Sequence, residues 1–138
     1  PGIGPMGGIY SCLQKSETDI NLVLPCDMTS IRPELFRLLL DQRGDAQVVL
    51  PSFDSVHPEP MCGIYMKEVL PEMARFIKNG NYKLPELFRT IRFRMIEIKP
   101  GSGLLPEPAT CNINTPEDRL MAEKILLEKT SIKSNSID

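Results

Sequence analysis

The run Leu22-Val-Leu-Pro-Cys-Asp27 ends apolar chain on a bare carboxylate. At the carboxyl end of a strand such a group faces the crevice where open α/β sheets bind ligands. There it can hold Mg²⁺, which takes one or two carboxylates together with substrate phosphates. Aspartate in that position also caps helices or makes Asx-turns. Ser30 is available as a cap for the helix that follows, which leaves Asp27 for the ligand role. A second pattern is Asn112-Ile-Asn114-Thr-Pro-Glu117. Residues two apart in an extended segment face one way, so both amides can donate and accept toward one ligand, or they tie their own loop together. A third is Pro1-Gly-Ile-Gly-Pro-Met-Gly-Gly8, with four glycines and two prolines in eight residues. Glycines ahead of a helix let backbone N–H groups approach an anion closely. The stretch has neither the GK[ST] ending of a P-loop nor a GxGxxG fingerprint, so a plain connecting loop accounts for it equally well.

His57 is the one histidine of the chain, in a polar, proline-broken loop, where solvent exposure is the expectation and general-base work is not. No Ser-His-Asp or Cys-His set can be assembled around it, which removes covalent catalysis of that type. A histidine-rich zinc site is excluded for the same reason. Cys12, Cys26, Cys62 and Cys111 lie far apart among apolar neighbours, without a CxxC pair, and are expected to be small buried thiols in a reducing cytoplasm.

These residues need a scaffold. Pro1 to Gly8 is expected to be a turn-rich loop, followed by a short helix over Ile9 to Lys15. Ile20 to Pro25 is expected to be a buried strand, central in its sheet. Leu35, Leu38 and Leu39 mark the stripe of a helix that starts near Ser30 and Pro33 and stops by Gly44. Ala46 to Leu50 and Met61 to Tyr65 are further strands, with a helix across Val69, Met73, Phe76 and Ile77 ending near Asn79-Gly80. Leu84 to Thr90 is a short helix, and Phe93 to Ile98 alternates as a strand near the sheet edge. Thr115 caps a last helix with Pro116 and Glu117 in its first turn, running along Leu120, Ile125 and Leu126. Strands alternating with helices imply a three-layer α/β sandwich with a mostly parallel sheet. There are no internal repeats.

The bulk properties set the frame. The 138 residues, 41% of them hydrophobic, carry a net charge of −2, as befits one ordinary globular domain. No apolar run could span a bilayer and no secretory signal is visible, so a cytoplasmic protein without a membrane partner is expected. Charge is unevenly placed. Residues 1–60 hold four basic side chains against eight acids, whereas Arg75 to Lys99 hold seven (Arg75, Lys78, Lys83, Arg89, Arg92, Arg94, Lys99) against Glu86 and Glu97. That segment is either solvated surface or a positive field for a phosphorylated ligand. The acidic balance and sparse aromatics exclude a nucleic-acid stripe. A chain that opens on Pro1, directly in a loop, is expected to be the later part of a longer protein.

Taken in order and spacing, Gly4-Pro-Met-Gly-Gly8, Leu24-Pro-Cys-Asp27-Met, Glu59-Pro-Met-Cys-Gly-Ile-Tyr65 and Asn112-Ile-Asn-Thr-Pro-Glu117 closely resemble the molybdenum cofactor guanylyltransferases, from about Gly4 to Leu120. The resemblance implies a nucleotide-binding α/β fold of the nucleotide-diphospho-sugar transferase (GT-A) type. It implies Mg²⁺-dependent transfer of GMP from GTP to molybdopterin, with release of pyrophosphate. By the same resemblance Asp27 is the Mg²⁺ and GTP-phosphate aspartate. Gly4, Pro5, Gly7 and Gly8 line the nucleotide pocket, Asn112 and Asn114 stand on the pterin side, and Lys83 after Gly80 meets the pterin phosphate. Two departures stand out: the family's opening Leu-Ala-Gly-Gly segment, with its arginine, Met-Gly and Asp-Lys, is absent here, and Glu59 stands where many relatives carry glutamine. Residues 1–129 then form the later two-thirds of one nucleotidyltransferase domain, 130–138 a polar, fraying tail, and the fragment alone is expected to be weakly active or inactive. Other readings are a CTP-using molybdopterin transferase, a sugar-phosphate nucleotidyltransferase, or a non-catalytic pterin carrier that docks a molybdoenzyme or its chaperone.

Overall fold

The computed structural model of the protein describes residues 3–28, 31–104, 115–117, 119–121, 123 and 124. Among them the order is α1 (Gly4–Lys15), β1 (Ile20–Val23), α2 (Pro33–Asp41), β2 (Val48–Ser52) and β3 (Gly63–Met66). A 3₁₀ turn (Lys67–Val69) then leads into α3 (Leu70–Lys78), followed by α4 (Leu84–Phe88) and β4 (Phe93–Glu97). The strands form one sheet in the order β1-β3-β2-β4.

The side chains of β2 explain the layering. In a strand they alternate between faces. Val48 and Leu50 join a cluster with Met6, Ile9 and Leu13 of α1, Met73 and Phe76 of α3, and Leu84, Leu87 and Phe88 of α4. Val49 faces the other way, into a cluster with Leu35, Phe36 and Leu39 of α2, Ile64 of β3 and Ile96 of β4. Helices therefore cover both faces, and the expected three-layer sandwich is present. The rings of Phe88 and Phe93 stack with centroids 4.6 Å apart, tying the end of α4 to the start of β4.

The sheet is mixed where a mostly parallel one was expected. β1, β2 and β4 share a direction and β2 pairs with β4 in parallel, but β3 runs against both of its neighbours, β1 and β2. The cause lies in residues 53–62, which join β2 to β3 without a helix. A parallel return needs a crossover connection, and strands joined without one pair antiparallel. β1 is also an edge strand among the described residues rather than a central one. Its expected burial fails accordingly: Ile20 and Leu22 are 44% and 51% exposed.

The glycine-rich opening is helical from Gly4, not a loop. Gly4 has φ +59°, a left-handed value that suits glycine, and Pro5 sits in the first turn, where its missing N–H costs nothing. Gly7 lies under Ile3: a Cβ there would come within 2.0 Å of the Ile3 side chain. The buried stripe Met6, Ile9 and Leu13 runs through the glycines at helical spacing, and its burial outweighs their poor propensity. At the other end of the chain, residues 116, 117 and 119–121 are helical and the Arg119 N–H reaches the Thr115 carbonyl at 3.2 Å, as the Thr-Pro-Glu pattern predicts. No helix among the described residues is long and apolar enough to cross a membrane.

Candidate functional site

A cavity of about 490 Å³ opens where the start of α1, the approach to β3 and the α3–α4 connection meet. Its lining includes Pro5, Pro60, Tyr82, Lys83, Leu84, Pro85, Glu86 and Arg89. The volume lies in the range of small-molecule sites. Each wall has a structural cause. Pro5 is fixed by the helical start just described. Pro60 is pinned from the core: the hydroxyl of Tyr65, a fully buried residue of β3, donates to the Pro60 carbonyl at 2.6 Å. Tyr65 and its neighbour Cys62 are held in their neutral forms. Burial first, and the nearby Glu59 carboxylate second, push the Cys62 thiol up to about 12 and the Tyr65 phenol further still.

The third wall is built by Asn81. Its side-chain oxygen accepts from the Lys83 N–H at 3.1 Å, and its amide donates to Glu86 Oε2 at 2.7 Å. This local bonding, typical of asparagine ahead of a helix, sets Lys83 at the entrance of α4. Lys83 Nζ lies 3.1 Å from Glu86 Oε1. The Asn81 amide, then Lys83, holds the Glu86 carboxyl below its usual range. Glu86 is thus engaged through both oxygens.

The structure unites some of the residues singled out in the sequence. Pro5 and Lys83 line the same cavity, although far apart in the chain. Gly4 adjoins it in sequence, while Gly7 is buried within α1 and Gly8 lies on its exposed side, neither in the lining. Asp27 is half-buried in a turn four residues beyond β1, and its carboxylate makes no hydrogen bond or ion pair among the described residues. It therefore serves as no cap there. One half-buried carboxylate left free suits a divalent ion that takes its other ligands from substrate phosphates. No group of three ligating side chains occurs among the described residues. Asn112 and Asn114 lie outside the described residues.

Arg89, Tyr82 and Pro60 complete the cavity without having been singled out as site residues. The basic segment from Arg75 onward was the only sequence signal pointing to Arg89. His57 is exposed, as expected, and its Nδ1 lies 2.7 Å from Asp54 Oδ2. Asp54 also accepts from the N–H groups of Val56 and His57. These bonds, His57's first, hold its carboxyl well below the usual range and organise the 53–62 loop. Cys62 is buried as expected, whereas Cys12 and Cys26 are exposed: the first sits on the outer side of α1, the second in the turn after an open edge strand.

Comparison with known proteins gives the frame for this geometry. Residues 1–95 match the model of the MobA-like NTP transferase domain. A protein of Flavobacterium johnsoniae named a probable molybdenum cofactor guanylyltransferase is 31% identical over 83% of this chain and 58% of its own length. The molybdenum cofactor guanylyltransferase of Vibrio parahaemolyticus is 29% identical over 83% of this chain and 56% of its own. The chain thus spans somewhat more than half the length of these relatives. The crystal structure of molybdopterin-guanine dinucleotide biosynthesis protein A from Archaeoglobus fulgidus superposes with a TM-score of 0.69 at 24% identity, over 91% of this chain and 64% of that one, and shows the shared fold. With its sheet, its helical layers and two-thirds of its length matched, the chain belongs to the MobA-like NTP transferase domain family.

Proposed function

We propose that the chain contributes to a nucleotidyltransferase that moves GMP from GTP to the phosphate of molybdopterin. The observation that carries this is the 31% identity, across 83% of the chain, to a relative named for guanylyl transfer to the molybdenum cofactor. In the reaction an oxygen of the acceptor phosphate bonds to the α-phosphorus of GTP. The bond from that phosphorus to the bridging oxygen breaks, and pyrophosphate leaves with the electron pair. No enzyme-bound intermediate is needed, so the protein's work is positioning and charge neutralisation.

Asp27 would hold Mg²⁺ together with the nucleotide phosphates, and the bound ion would offset charge on the α-phosphate and the leaving pyrophosphate. Its free carboxylate supports that role. Pro5 and Pro60 give the cavity rigid apolar walls, and Lys83, which lines it and is set by Asn81 and Glu86, would face the anionic part of the acceptor. The test is pyrophosphate release by the complete gene product, supplied with molybdopterin, Mg²⁺ and GTP or CTP. GTP should be turned over and CTP should not. Asp27→Ala should lower the rate at least about a hundredfold, since several kcal/mol of charge stabilisation disappear. A near-normal rate in that variant would remove Asp27 from the metal site, and turnover of CTP alone would reassign the donor.

A further inference from the structure

The two cations in the cavity wall are not equivalent. Lys83 is committed to Glu86 Oε1 at 3.1 Å, and Asn81 occupies Glu86 Oε2 at 2.7 Å. Glu86 is the carboxylate three residues before Arg89, the spacing at which a helical pair ordinarily forms. With both of its oxygens engaged, it makes no close ion pair with Arg89, whose charge reaches it only through space, as the last of the causes that hold its carboxyl low. Among the described residues the Arg89 guanidinium has no ion pair and no hydrogen bond, although it lines the cavity. A planar fork of five N–H donors is therefore left without a hydrogen-bond acceptor among the described residues, beside a concave, mostly apolar surface.

The rest of the wall suits a flat ring. Pro5, Pro60, Leu84 and Pro85 supply apolar contact, and the 41% exposed ring of Tyr82 stands at the rim. We infer that Arg89 is the phosphate anchor of a binding site for a phosphorylated flat heterocycle, gripping a phosphomonoester bidentately while the ring lies against the prolines and Tyr82. In identifying the occupant as the acceptor side of the reaction, this rests on the function proposed above; the site itself does not. Lys83, already paired, adds field rather than the principal contact.

The test is a titration of the protein, without donor nucleotide, followed by amide chemical shifts. The probes are 6-hydroxymethylpterin phosphate, the same pterin without phosphate, GMP and inorganic phosphate. The phosphorylated pterin should shift the amides of Tyr82 to Arg89 saturably and bind at least about tenfold more tightly than the bare pterin or inorganic phosphate, as one bidentate charged contact implies. Arg89→Gln should lose at least about tenfold in that affinity, and Arg89→Lys should recover part of it. Arg37→Gln, on α2 across the sheet, removes the same charge and should change nothing. Unchanged melting of each variant shows that the fold is intact. GMP binding at the same amides with the same Arg89 dependence would support the anchor while naming the nucleotide as occupant. Equal affinity for phosphorylated and bare pterin, or equal losses in Arg89→Gln and Arg37→Gln, would overturn it. Binding at this site without any guanylyl transfer would instead sink only the proposed reaction. Transfer with an Arg89→Gln acceptor KM unchanged would sink only the anchor.

Discussion

Glu86 shows how a single side chain decides the chemistry of its neighbours. By accepting from both Asn81 and Lys83 it immobilises one cation and leaves Arg89 available. Seven basic residues between Arg75 and Lys99 are visible in the sequence, but which of them is unpaired depends on which partner reaches each carboxylate oxygen first in space. Spacing along the helix predicts Glu86 with Arg89; the fold supplies Asn81 from outside the helix instead. Cys62 carries a prediction at the same scale. Its thiol is an acid whose folded value is raised from 9.0 to about 12 by burial and by Glu59. The folded state therefore favours the protonated form. The stability this contributes is complete below pH 9 and is lost as the pH rises from 9 toward 12. Denaturant midpoints should fall between pH 8 and pH 10.5, and Cys62→Ala should fall less steeply over the same interval, lysine and tyrosine titration being common to both. Alkylation of the native protein at pH 8 should modify Cys12 and Cys26 while sparing Cys62 until the protein unfolds. Labelling of Cys62 as fast as that of Cys12 and Cys26 would show that the β3 approach opens far more readily than its packing implies.

At the scale of elements, local signals and tertiary demands diverge at two places. α2 and α3 announce themselves by apolar residues at helical spacing, with a proline in the first turn of each. Both helices form there, but the N-cap of α2 is Arg32, without a side-chain cap, and not the expected Ser30, which lies outside the described residues. The start of α1 does not announce itself, because glycine and proline there signal a turn; helix forms because Met6, Ile9 and Leu13 share one buried face. β1 fails in the opposite sense. Its apolar composition suggests burial, but composition cannot say which strands lie alongside, and β1 has β3 on one side only among the described residues. Gly63, at the start of β3, is the point where the sheet tolerates least. A Cβ there would lie 2.4 Å from Leu50 Cδ2 and 2.6 Å from the Val49 carbonyl oxygen. The leucine methyl can swing away, but the carbonyl belongs to the ladder and cannot. Gly63→Ala should therefore destabilise by roughly 1–3 kcal/mol, the usual range for overpacking, read as a lower denaturant midpoint at constant m. The same substitution at Gly8, where a Cβ meets nothing within 4 Å on an exposed helical face, should stabilise slightly or do nothing. Should Gly63→Ala prove neutral, the close approach of β2 to β3 would be wrong.

Among the described residues the molecule is built as two hydrophobic clusters separated by one thin sheet. α1, α3 and α4 close one face and α2 closes the other, and the two clusters share no buried residue. Three-layer architecture was legible in the sequence because it follows from alternation of elements. The direction of β3 was not, because it follows from the absence of a helix between Ser52 and Gly63, a stretch whose prolines and polar residues say only that it is loop. What the sheet joins it can also insulate. Ile9 belongs to one cluster and Ile64 to the other, both almost fully buried. Ile9→Val and Ile64→Val should each cost about 0.5–1.5 kcal/mol, the usual range for removing one buried methylene. Sites without shared partners add to within about 0.5 kcal/mol, so the double variant should lose the sum of the two, in one cooperative transition. β2 is the element on which this depends, since Val48 and Leu50 pack to one side and Val49 to the other. A coupling larger than roughly 1 kcal/mol would mean that β2 shifts as a body when either face is underpacked. Pro60 is tied to the core through Tyr65, so the cavity wall would then move with the packing of α2 on the far side of the sheet. Additivity would mean instead that α2 can be repacked without disturbing the cavity at all.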